Sequence, residues 1–63
     1  MKAKEIRFGR WYETTLGVGE CRGIGRTYPP SVRVYIVAPF PRGTVNLPPR
    51  DVLREVKPQL LVR

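Results

Sequence analysis

At 63 residues, with one cysteine and no histidine, the chain has room for a single domain and lacks the ligands for a structural zinc site or an internal disulfide. Twelve lysines and arginines against five acidic residues give a formal net charge of +7, and nine of the twelve are arginine. That excess favours polyanionic partners such as DNA, RNA or an acidic protein face, although a genome rich in arginine codons would leave the same mark. The lone cysteine suits a reducing compartment. The segment Met1–Arg7 is charged and has no apolar signal-peptide core, and the longest apolar run, Tyr35–Phe40, is far too short to cross a bilayer. A cytoplasmic protein with no membrane partner is expected. The seven prolines and the lack of histidine also suit a thermophile.

In chain order, Ile6 to Thr14 reads as a first strand with Ile6, Phe8 and Tyr12 on one face. Gly17 to Arg26 carries glycines at 17, 19, 23 and 25, a density that weakens a straight strand but suits one that must coil around a small barrel. Ser31 to Val37 is the clearest strand: Val32, Val34 and Ile36 alternate with Arg33, Tyr35 and Val37. Arg42 to Leu47 is a fourth strand and Val52 to Val56 a fifth. The last has a rival, because Val52, Leu53 and Val56 also fit helical spacing and Asp51 is a suitable cap. The valines and the preceding Pro48-Pro49 turn favour the strand. Turn signals at Gly9, Leu16-Gly17, Thr27 to Pro30, Pro39 to Gly43, Pro48-Pro49 and Pro58 separate these runs.

Short strands at this spacing cannot fill a two-sheet sandwich, but they can close on themselves. The order of signals resembles the SH3-like barrel group. A Gly-rich second strand precedes a strong third strand, and then Gly43-Thr44-Val45-Asn46-Leu47-Pro48-Pro49-Arg50-Asp51-Val52-Leu53 looks like the passage from the fourth strand through a one-turn 3-10 segment into the fifth. The resemblance covers roughly residues 7 to 57. It implies an all-β, five-stranded barrel over about 6–57 with a tail at 58–63, the whole chain 1–63 being one domain. Within that group, domains that bind proline-rich peptides carry acidic residues after the first strand, whereas Thr14-Thr15-Leu16-Gly17-Val18 is uncharged here. The basic balance is closer to the KOW and RNA-polymerase-interacting modules, which implies RNA, DNA or polymerase as partner.

No catalytic set is present. Gly17-Val18-Gly19-Glu20-Cys21-Arg22-Gly23 misses the dinucleotide spacing by one residue and has no helix to open, so it reads as a bent strand. Cys21 has no histidine to activate it and reads as a small core residue. Glu13 and Glu20 read as solvated charges. The chain is expected to be no enzyme and to need no cofactor, metal or small-molecule substrate. The candidate nucleic-acid-binding residues are Arg22, Arg26, Arg33 and Arg42 with Tyr28 and Tyr35, because an outward tyrosine flanked by arginines offers a stacking surface and phosphate ligands. The plainer reading is that arginine stems merely cover the rings. Trp11 is either a binding-surface aromatic or part of a minor cluster under a loop. The alternative function is a protein-interaction or homo-oligomeric module that buries Leu60, Leu61 and Val62 of the tail.

Overall fold

A computed structural model of the chain describes residues 1–25, 29–38 and 42–58. Its strands are β1 (Trp11–Thr14), β2 (Gly17–Gly25), β3 (Ser31–Ala38), β4 (Gly43–Leu47) and β5 (Val52–Val56). They form one antiparallel sheet in the order β4-β3-β2-β1-β5. Among the described residues the only helical segments are two 3-10 turns, Ala3–Glu5 and Pro49–Asp51. The architecture is a small five-stranded SH3-like barrel with a 3-10 turn leading directly into its last strand. The helical rival for residues 51–56 loses because Val52 is already extended, at φ −92° and ψ 114°, and Val56 pairs with Trp11.

The core follows from the period of two. Val32, Val34 and Ile36 of β3 are buried, and they meet Ile6, Tyr12, Cys21, Leu47 and Val52 in one cluster. Leu47 lies on one edge strand and Val52 on the other, so sharing a core requires the sheet to curl until its edges face each other. The 3-10 turn bridges those edges, and the Thr15 amide donates to the Asp51 carbonyl at 3.0 Å, fixing the β1–β2 hairpin to it. The Met1 amino group donates to the carbonyls of Pro49 and Val52, at 3.2 and 2.6 Å. The buried Tyr12 hydroxyl accepts from the Arg7 amide at 2.8 Å, so burying the phenol leaves no orphaned polar atom.

The first strand is shorter than its sequence suggests, and Phe8 is not in the core. Ile6 and Tyr12 are fully buried, but Phe8 is 71 % exposed. Gly9 takes φ 85°, the Arg10 amide turns back to the Arg7 carbonyl, and Gly9 and Arg10 together oppose Cys21 through two 2.9 Å hydrogen bonds. That bulge breaks the alternation, so residues on either side of it face the core while Phe8 is turned out.

Curvature is concentrated in β2, which carries irregular pairing to β3 between Val18 and Gly19 and again between Cys21 and Gly23. Gly19 sits where nothing larger fits. A β-carbon there would stand 2.7 Å from the Tyr35 carbonyl carbon and 2.8 Å from Val34 Cγ1, and would also overlap the Tyr35 carbonyl oxygen. Gly43 has open space on the same measure. Gly19→Ala should therefore cost about 2 kcal/mol or more by forcing β2 off β3. Gly43→Ala should be neutral or stabilising by up to about 1 kcal/mol, through the unfolded chain. Urea unfolding of the two variants checks this, and equal effects would show that β2 does not depend on the close approach.

Candidate nucleic-acid interface

The register of the five strands sets a row of side chains across the outer face of the sheet: Val56, Trp11, Glu20, Tyr35 and Thr44. With neighbouring strands ~4.8 Å apart, Trp11 and Tyr35 stand roughly 10 Å from each other with Glu20 between them. Tyr12 takes the core position, so Trp11 is the outward member of its pair and half-buried. Arg22 is the extra residue of the bulge between Cys21 and Gly23. Its guanidinium lies over the Tyr35 ring, 4.9 Å from the centroid, and its Nε donates to Glu20 Oε1 at 3.0 Å.

Arg33 lies two residues before Tyr35 on the same outward side, opposite Gly23 of β2 and Asn46 of β4. It is exposed and has no acidic partner among the described residues. Arg42, also exposed, immediately precedes β4, near the far end of β3 from Arg33. The structure thus brings Trp11, Arg22, Arg33 and Tyr35 onto one face and leaves Arg42 at its margin. Arg26 and Tyr28 lie outside the described residues, as do Leu60, Leu61 and Val62.

Glu13 and Glu20 are not free solvated charges. Glu13 Oε1 accepts from Arg54 Nε at 2.6 Å and Glu20 holds Arg22, while Glu55 pairs with Arg10 at 3.0 Å across the edge of the sheet. Cross-strand register explains the first: Glu13 is directly opposite Arg54. Each of these exposed pairs contributes about 0.2–1 kcal/mol at most. Their larger consequence is chemical, because they neutralise Arg10, Arg22 and Arg54 and leave Arg33 as an uncompensated cation on the outer face.

Beside Arg33 the surface falls into a notch lined by Gly23, Ile24, Gly25, Ser31, Arg33 and Asn46. It was not legible as a site because Ser31 and Asn46 are unremarkable one at a time. Only the pairings Gly25↔Ser31, Gly23↔Arg33 and Arg33↔Asn46 bring them together. The alternation of β3 and β4 was the available signal. No group of three or more potential metal ligands occurs among the described residues, and none of their helical segments is long and apolar enough to cross a membrane.

Comparison of the chain with protein-family models, with curated proteins and with solved structures finds no match.

Cys21 is fully buried on the opposite face of β2 from Glu20, with its thiol directed to the Gly23 carbonyl at 3.7 Å. Burial pushes the thiol above its ordinary value of 9.0, and the nearby Glu20 charge adds to the shift. Two outcomes are expected. A disulfide-exchange reagent near neutral pH should modify the native protein only as fast as it opens, and the denatured protein at once. Because the folded state holds this proton more tightly, stability should be unaffected below about pH 9 and fall as pH rises beyond it. Cys21→Ala should lose that alkaline slope in pH-dependent melts, and an unchanged slope would remove the thiol as its cause.

Proposed function

We propose that this chain is a non-enzymatic nucleic-acid-binding module of the SH3-like barrel superfamily, using the outer face of β1–β4 to hold a phosphate backbone. The observation that carries this reading is the position of Arg33. It is an exposed arginine without an acidic partner among the described residues, two residues from Tyr35 on a face that also presents Trp11 and Arg22. Arginine supplies a planar fork for phosphate oxygens. The half-buried ring of Trp11 supplies a flat surface against which a base or sugar can pack, and the Arg22 guanidinium laid over Tyr35 supplies a second. The net charge of +7 provides the long-range attraction, with Arg26, Tyr28 and Arg42 as further candidate contacts.

A protein-interaction module is the second reading. It is favoured by Leu53, which is 51 % exposed on the edge strand β5, and it is the reading to which the Leu60-Leu61-Val62 tail belongs. The two differ in their response to salt, since counterion release makes phosphate binding fall steeply with ionic strength while an apolar interface does not.

Anisotropy titrations with labelled single-stranded and duplex DNA and RNA should show binding at low salt whose logarithm falls linearly with log salt, with a slope of several units. Arg33→Gln should weaken binding to all sequences alike and reduce that slope by about one. Absence of binding at low salt would overturn the proposal. Salt-insensitive self-association in sedimentation experiments would then support the second reading.

A further inference from the structure

The glycines of β2 are not equally explained by the fold. Gly17 takes φ 140°, Gly19 has no room for a side chain, and a β-carbon at Gly25 would press on Ser31 Oγ at 3.0 Å. Gly23 is different. Its φ is not in the left-handed region, and a β-carbon there would meet only Arg33 Cβ, at an ordinary contact distance of 3.8 Å. Neither packing nor backbone conformation requires glycine at this position, although glycine weakens a strand relative to alanine.

What Gly23 does supply is emptiness. It is the residue opposite Arg33 on the outer face, and its missing side chain opens the notch between Ser31, Arg33 and Asn46. Its lining combines Gly23, Ile24 and Gly25 with Arg33, Asn46 and Ser31, whose side chains can all donate hydrogen bonds, and it includes no acidic residue. Donors of this kind around one unneutralised cation suit a tetrahedral oxyanion, and the open form, with two glycines in its lining, admits a phosphate still attached to a chain. From this we infer that the notch is a phosphate subsite, in which Arg33 supplies the charge and Ser31 and Asn46 hold the remaining oxygens. The inference rests on the nucleic-acid reading for its biological ligand, a backbone phosphodiester, while the chemistry it claims is that of the phosphate itself. Tyr35 lies two residues, roughly 7 Å, along β3, so a nucleotide anchored here has its neighbour within reach of the Arg22-capped ring.

The test uses the isotope-labelled 63-residue chain, with inorganic phosphate, a nucleoside monophosphate and a short single-stranded oligonucleotide as separate probes. Amide shifts are followed in each titration. The decisive variant is Gly23→Val, which fills the notch without altering charge. Asn46→Ala is the companion in case valine disturbs the bulge, and thermal melts establish that each variant folds. Phosphate and oligonucleotide should both move the amides of Gly23, Gly25, Ser31, Arg33 and Asn46. Gly23→Val should weaken oligonucleotide binding by about tenfold with an unchanged salt slope, because no charge is lost. Asn46→Ala should weaken it several-fold. If the oligonucleotide binds but shifts amides elsewhere and both variants bind as the parent does, the notch proposal falls while the nucleic-acid reading stands. If no oligonucleotide binds yet phosphate shifts stay confined to the notch, the subsite holds and the nucleic-acid reading falls. If no probe shifts the notch amides, the subsite is overturned.

Discussion

The close approach of β2 to β3 at Gly19 is the contact on which the other features depend. A sheet whose first and last strands contribute to one core must bend sharply, and main chain can bend that tightly only where side chains are absent or the ladder is interrupted. β2 has both, with irregular pairing at Val18/Gly19 and at Cys21/Gly23 and no room for a side chain at Gly19. Because β2 bends there, Leu47 and Val52 reach the same cluster from opposite edges, and the 3-10 turn between them can tie the hairpin tip at Thr15 to Asp51. With so small a core, each of these ties is a large share of the total stability.

The same bend shapes the outer face. The bulge at Arg22 adds a residue and shifts the alternation of β2 by one, so Cys21 faces the core while Gly23, two residues on, faces outward opposite Arg33. Arg22 is left over and folds onto its own surface, paired to Glu20 and laid across Tyr35. Acidic residues that looked idle in the sequence thereby sort the arginines. Those beside Glu13, Glu20 and Glu55 are engaged, and Arg33, with glycine and asparagine as cross-strand neighbours, is not.

Much of the fold was legible because β-structure writes itself as a period of two. Val32, Val34 and Ile36 announced their strand, and Pro48-Pro49 ahead of Asp51 announced the turn before β5. The misreading of Phe8 has a definite origin: alternation extrapolated through Gly9 assumes a regular ladder, and a positive φ with two residues opposing one cancels that assumption. The ion pairs were illegible for a different reason. Glu13 and Arg54 are 41 residues apart, and only the pairing of β1 with β5, itself displaced by a bulge, makes them neighbours. Outward direction could be read strand by strand for Arg33 and Tyr35, whereas the notch needed three strands in register.

A basic surface on a small protein is weak testimony to function, because composition alone can produce it. Its arrangement is better testimony. Had the arginines served only to cover the sheet, guanidinium groups laid on a ring or paired to carboxylates would account for them, as they do for Arg22, Arg10 and Arg54. Arg33 escapes that account twice over. The described acidic residues leave it unmatched, and the residue opposite it is a glycine that neither backbone conformation nor packing demands. A surface that keeps a charge unneutralised and the space beside it empty gives up stability at both positions. On the proposed reading, an anion bound in that space offsets what the free protein forgoes at Arg33 and Gly23, which is why function rather than folding is proposed for this corner of the barrel.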